Sequence, residues 1–277
     1  MVSPLVSVCI ITYNHEKYIK RCLESVLEQQ TSFPFEVVIG EDCSEDNTRD
    51  IIRYFEKKHP DIIRPIYHVR NVGAARNNFE YCFAKIHSRY IAICDGDDYW
   101  TDPFKLQKQV DFLEKNQDCV MCFHRVKSID QDDRILQEQD AMGEPLFYSW
   151  KDILHISIPT LSAVFRNCID QLPKEILRAK SGDTFLFGML SKYGGAADLG
   201  FIGAHYRIHA GGTWSGKSQV DQYRQAIHTR KLMLQSTFFS QEQLVEIRKE
   251  IWNRKKRYIK QFIKQRRLAH CLRILLT

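Results

Sequence analysis

Three carboxylates fall within four residues of "YIAICDGDDYW" (90–100): Asp95, Asp97 and Asp98 directly follow the apolar run Tyr90 to Cys94. Like charges this close repel one another and raise each other's pKa, so the chain needs something positive beside them. Hard oxygen ligands of this kind suit Mg2+ or Mn2+, and such an ion ordinarily keeps phosphate oxygens as partners. A helix N-cap accounts for Asp102, which precedes Pro103, but leaves the other three acids unexplained. Polar groups also follow two other apolar runs: Thr12, Tyr13 and Asn14 after "VSVCII", and Glu41, Asp42 and Ser44 after "FEVVIG".

The elements that position these groups are legible as a repeating period. "VSVCII" (6–11), "FEVVIG" (35–40) and "IRPIYHV" (63–69) each precede an amphipathic segment, at 18–29, 48–59 and 75–86. "YIAIC" (90–94) is a fourth strand, followed by a helix over 102–115 and a fifth strand, "CVMCFHRV" (119–126). Such alternation predicts an α/β fold, a mostly parallel sheet flanked by helices, whose ligands sit at the carboxyl ends of the strands. Past residue 127 the alternation fails, with a strand expected at 160–166, a helix at 184–194, a strand at 204–209, and helices over 219–236 and 241–275.

The chain of 277 residues, 44% hydrophobic and 12% aromatic, has ample material for a packed core. Its nine cysteines are odd in number, and several lie in apolar runs, which reads as reduced thiols in a cytosolic compartment. "CVMC" (Cys119, Cys122) lacks a second pair at zinc spacing and reads as core. No apolar run reaches the roughly 18–20 residues of a membrane span, and the first apolar segment has no basic region before it, as a signal peptide would. The net charge of +6 is concentrated in residues 246–277, which hold eleven Lys or Arg and two Glu.

"VSVCIITYN", "VVIGEDCSEDNT", "NVGAARN", "YIAICDGDD" and "SGDTFLFGMLSKYG" stand in the order and spacing of the family 2 glycosyltransferases of GT-A fold, and the chain resembles that family over about residues 5–215. The resemblance implies a GT-A-like catalytic domain over 1–218, with a nucleotide-binding half (1–127) and an acceptor half (128–218), then a helical basic extension over 219–277. It implies that Ile11, Thr12 and Tyr13 cradle base and ribose, that Asp42 reads the uracil edge, and that Arg76 and Gly96 lie near the nucleotide. Asp95 and Asp97 form the DxD pair on Mn2+ or Mg2+, with Asp98 and His209 as further metal contacts. Trp100 and Trp214 are expected at sugar or acceptor. Asp183, opening a helix after "SG", is the expected general base, its alternative role being a simple cap. The family's Asp-Asp-Gly-Ser motif is Glu41-Asp42-Cys43-Ser44 here. The activity implied is inverting transfer of a sugar, most simply from a UDP-sugar, to a hydroxyl of a glycan or lipid-linked saccharide in bacterial surface polysaccharide assembly.

Two stretches compete with that reading. "GGTWSGKS" (211–218) matches the phosphate-loop pattern G-x-x-x-x-G-K-[ST], but "AHYRIH" before it is too polar for a buried strand and nothing after it reads as strand. A P-loop nucleotidase and a non-catalytic nucleotide-sugar-binding scaffold are therefore the alternatives. In the tail, Tyr258, Ile259, Phe262, Ile263, Ala269, Leu272, Leu275 and Leu276 recur near helical period between basic clusters. That pattern is expected to contact an anionic membrane surface through 250–277, with packing on the rest of the chain as the rival reading, and no nucleic-acid motif accompanies it. The protein is accordingly expected in the cytoplasm, peripheral at the inner face of the membrane.

Overall fold

The computed structural model describes residues 3–138, 140–212 and 214–264. They form two compact units, one of residues up to 149 with 158–168 and 193–208, the other of 150–157, 169–192 and the chain from 209 onward.

In the first unit the strand–helix alternation is realised as β1 (Val6–Thr12), α1 (Ile19–Leu27), β2 (Phe35–Glu41), α2 (Thr48–Lys58), β3 (Ile63–Tyr67), β4 (Tyr90–Asp95), β5 (Tyr99–Trp100), α3 (Lys105–Lys115) and β6 (Cys119–Ile129). β1 and β4 are almost wholly buried, as expected where helices cover both faces of a sheet and strands read as continuous apolar runs. The amphipathic segment after β3 is not an α-helix: Arg76–Cys82 is a π-helical stretch that runs into a 3-10 turn, Phe83–Lys85. Short strands β7 (Ile135–Gln137), β8 (Leu146–Tyr148) and β9 (Val164–Arg166) and the long β10 (Gly195–Arg207) complete the sheet, in the order β3-β2-β1-β4-β9-β6-β10-β5, with β7 on β6 and β8 on β10.

The sheet is only partly parallel, which corrects the sequence expectation. β3, β2, β1 and β4 run parallel, and so do β6 and β10. β9, β5, β7 and β8 all pair antiparallel. A parallel neighbour needs a long crossover, and once the helical connections stop after β6 the chain turns straight back, as β7 does through the turn at Asp130–Arg134. One core cluster runs through this unit from Val6 to Ala204. Cys119 and Cys122 belong to it, and each described cysteine is a free thiol.

The second unit is helical: α4 (Trp150–Ile153), α5 (Gly182–Leu190), α6 (Gln219–Gln235) and α7 (Gln241–Lys264). Val220, Tyr223 and Ile227 of α6 form a buried cluster with Phe262, against which Ile251, Tyr258 and Ile259 pack. Tyr258, Ile259 and Phe262 of the stripe expected at a membrane surface thus pack with α6, where apolar area is removed from water within the chain itself, while Ile263 stays 56% exposed. Ala269, Leu272, Leu275 and Leu276 lie outside the described residues. Among the described residues no helix is long and apolar enough to cross a membrane.

Candidate active site

Adjacent parallel strands bring the ends of β1, β2 and β4 together. Ile11 lies in register with Asp95, the Gly96 N–H donates to Ile11 O at 3.0 Å, and the Asp42 N–H donates to Thr12 O at 3.1 Å. Ile11, Thr12, Asp42, Asp95, Gly96, Asp97 and Asp98 therefore occupy one edge of the sheet, with Tyr13 exposed beside them. Gly96 is required by close approach: a Cβ there would lie 2.7 Å from Thr12 Oγ1 and 3.0 Å from His15 Nδ1. His15 was not among the residues expected. Its Nδ1 sits 3.2 Å from Thr12 Oγ1 and its Nε2 3.9 Å from Asp97 Oδ2.

The acids of the β4 turn are not equivalent. Asp95 and Asp97 are half-buried, whereas Asp98 is 2% exposed and its Oδ1 accepts the Arg207 main-chain N–H at 2.7 Å. Burial first, then the neighbouring Asp97 and Asp95 carboxylates, pushes the Asp98 carboxyl well above the usual carboxylate range. Crowded acids with an imidazole beside them fit a divalent cation, whose charge would relieve the repulsion and whose preferred donors are these atoms. A guanidinium also reaches this turn: Arg207, at the end of β10, donates from Nε to the main-chain carbonyl of Asp97. Sequence reasoning missed it, although a lone arginine in the "YRIH" strand end was the available signal.

Glu41, the last residue of β2, and Asp42, the next residue, serve different loops. Glu41 is fully buried, pairs with Arg49 and accepts the Ser44 N–H at 2.6 Å. Asp42 is 3% exposed and its two oxygens accept the N–H groups of Val72 and Gly73 at 2.7 and 2.9 Å. "NVGAARN" is thereby tied to the strand end, further along by Asn77, whose side chain donates to Gly40 O at 2.8 Å. Cys43 adopts φ 61°, the left-handed conformation that suits glycine. Arg76 is exposed and engaged by Glu80 through two hydrogen bonds of 2.6 and 3.1 Å. Trp100, expected at the sugar, is a core residue: it is 3% exposed, its indole N–H donates to Leu161 O at 3.0 Å, and the Lys105 amine lies 4.0 Å from its ring centre. After the acids the chain turns inward as β5, which carries the aromatic with it.

In the second unit Asp183 lies in the first turn of α5, and its Oδ1 accepts the Thr184 N–H at 2.7 Å. The turn before it is fastened by the Ser181 N–H, which donates to Thr229 Oγ1 at 3.0 Å. The buried Arg230 on α6 is pushed down to about 9, chiefly by desolvation and by Arg254, against the opposing pull of Glu250 and Asp183. His209, half-buried, accepts the Gly212 N–H on its carbonyl at 3.1 Å, and Trp214 is 36% exposed. The 211–218 loop spends N–H groups on its own turns, Gly216 to Gly212 O and Lys217 to Trp214 O, while Ser218 caps α6 by accepting from Asp221 N–H. A phosphate cradle needs those donors turned outward.

Comparison with known proteins agrees with this architecture. Residues 7–172 match the family described as glycosyl transferase family 2. An uncharacterised protein of Mycobacterium tuberculosis (strain H37Rv), Rv1520, is 36% identical over 217 residues, which are 75% of this chain and 60% of that relative, so the chain spans well under the relative's full length. WfaP of Escherichia coli, a UDP-Glc:alpha-D-GlcNAc-diphosphoundecaprenol beta-1,3-glucosyltransferase, is 28% identical over 214 residues, 77% of this chain and 81% of its own. Among solved structures, the mannosyltransferase PcManGT from Pyrobaculum calidifontis in complex with GDP-Man and Mn2+ shares the fold, with a TM-score of 0.64 at 13% identity over 100% of this chain and 74% of that one. With its acid turn at the end of a parallel strand and this GT-A-like architecture, the chain belongs to glycosyl transferase family 2.

Proposed function

We propose that the protein transfers a sugar, with inversion, from a UDP-sugar to a hydroxyl of a glycan or lipid-linked saccharide, in bacterial surface polysaccharide assembly. The observation that carries this reading is the edge where β1, β2 and β4 end, with Asp95 and Asp97 beside His15 and a buried Asp98 behind them. Ile11, Thr12, Tyr13 and Asp42 are the proposed nucleoside contacts. Asp42 keeps lone pairs for a uracil N–H while its oxygens hold the 72–73 loop. The UDP-glucose named for WfaP favours uridine, and the GDP-mannose of PcManGT marks the rival donor.

Asp95 and Asp97 would hold a Mn2+ or Mg2+ ion, with His209 as a further ligand, and a bound ion supplies charge stabilisation for the departing diphosphate. Asp183 takes the proton of the acceptor hydroxyl as general base; Trp214, on its exposed loop, stacks on sugar. Arg76 remains a candidate for the nucleotide phosphates, reached by exchanging Glu80 for the ligand. A lipid-linked acceptor suits a peripheral membrane location. The solvent face of α7 supports one, carrying Arg248, Lys249, Lys256 and Lys260 around Trp252, which is 57% exposed.

The test is donor binding and turnover. UDP-sugars and GDP-mannose are screened for thermal protection with and without Mn2+, and the best donor is then assayed with the parent and Asp97→Asn proteins. Metal-stimulated protection by a UDP-sugar, lost in Asp97→Asn, is expected. Protection by GDP-mannose alone would replace the nucleotide, and binding without turnover on any acceptor would favour a scaffold.

A further inference from the structure

The turn that carries Asp97 is held by a residue more than a hundred positions away. Arg207 closes β10 and is 3% exposed. Its Nε donates to Asp97 O at 2.9 Å, its Nη1 to Asp130 O at 2.9 Å and Gln131 O at 3.3 Å, and its Nη2 to Asp133 Oδ1 at 2.8 Å. Its main-chain N–H holds Asp98 Oδ1, and the rings of Tyr18 and Tyr99 lie 4.6 and 5.8 Å from the guanidinium carbon. A planar fork with acceptors in three directions and aromatic rings close by has one orientation open to it.

Two consequences meet at Asp97. Its carbonyl is pinned by a charged donor, and the acid that follows it, Asp98, is kept buried behind the turn on the Arg207 main chain. The carboxylates of Asp95 and Asp97 are thus presented on a turn whose backbone is fixed from the far strand. We propose that Arg207 is a positioning residue for cation binding: through the Asp97 carbonyl and the Asp98 carboxylate it sets the affinity with which Asp95 and Asp97 hold a divalent ion. The inference rests on reading those two acids as ligands. Outer partners that orient ligands typically change metal affinity by about 10–100-fold when removed. Lysine does not replace the fork, since its point charge cannot reach Asp97, the 130–131 carbonyls and Asp133 together.

The test is Mn2+ binding to the full chain in the presence of UDP, read from the electron paramagnetic resonance signal of free aqueous Mn2+, for the parent, R207K, D133A and D97N. R207K is expected to raise the Mn2+ Kd about 10–100-fold. D133A removes the acceptor of Nη2, a carboxylate 58% exposed that also hydrogen-bonds Tyr99, and is expected to raise it by about two- to fivefold, with an unfolding midpoint within a few degrees of the parent. An unaltered Mn2+ Kd in R207K and D133A, whatever their stability, overturns the proposal; should R207K fail to fold, D133A decides alone. D97N separates the two layers. An unchanged Kd in D97N removes the ion site itself, whereas a weakened D97N beside unaltered R207K and D133A removes only the role of Arg207.

Discussion

The amine of Lys105 lies 4.0 Å from the centre of the Trp100 ring, fully buried and with no hydrogen-bond partner. Burial pushes it down to about 7, against the weaker opposing pull of Cys94, Cys122 and Asp102. Holding the amine below the ordinary lysine value is the cost of placing lysine at the start of α3.

Lys105→Met is therefore expected to stabilise the protein, by on the order of 2–4 kcal/mol near neutral pH. The sign follows from proton counts. Between the folded value near 7 and the ordinary lysine value of 10.5, the unfolded chain binds a proton that the folded one does not, so this lysine's contribution to stability rises with pH across that window. Urea unfolding of both proteins from pH 6.5 to 9.5 should show the advantage of the methionine variant shrinking as pH rises. A constant difference would mean that the amine is charged throughout.

Asp183→Asn keeps the size of the side chain and an oxygen to accept the Thr184 N–H. Turnover is expected to fall by about 10²–10⁴ while donor affinity and unfolding midpoint stay near those of the parent. Steady-state kinetics with saturating donor decide it, and a loss confined to KM would make Asp183 a binding residue.

Cys43→Gly relieves a left-handed conformation at φ 61° and is expected to raise stability by about 1 kcal/mol, visible as a few degrees in the unfolding midpoint. A lower midpoint would show that the thiol side chain makes contacts worth more than the strain.

Phe262→Ala opens a cavity where α7 meets Val220, Tyr223 and Ile227, at an expected cost of about 3–5 kcal/mol. Chemical denaturation measures the loss. A change under about 1 kcal/mol would mean that the helix is held by its polar contacts to other segments, such as Glu246 and Glu250 on His155, rather than by this cluster.

The first half of the fold was legible because each strand is an apolar run and each helix an amphipathic period, so β1, β2, β4 and β6 fall where periodicity puts them. β5, β7 and β8 were not, being only two or three residues long, too short for a period to register. The π-helical turn at Arg76–Cys82 has the same residue pattern as an α-helix, and hydrogen-bond register is not written in side-chain type. At the site, the acids were legible as an anomaly of like charge. Arg207 was not, since the chain separates it from Asp97 by 110 residues and only sheet pairing brings them together. Trp100 was misread for a related reason: an aromatic after an acidic turn looks available until β5 carries it under Lys105.

That separation also bears on the order in which the molecule can assemble. Pairing of β1 with β2 closes a short loop, and α6 with α7 is a local hairpin, so both can form early. The acid turn is different: on a ribosome it emerges long before Arg207, and until β10 has docked beside β6 the Asp97 carbonyl and the Asp98 carboxyl lack the donors that Arg207 supplies. A chain arrested before residue 207 therefore lacks both the main-chain donor to Asp98 and the side-chain donor to Asp97, and its acid turn is not fastened to β10.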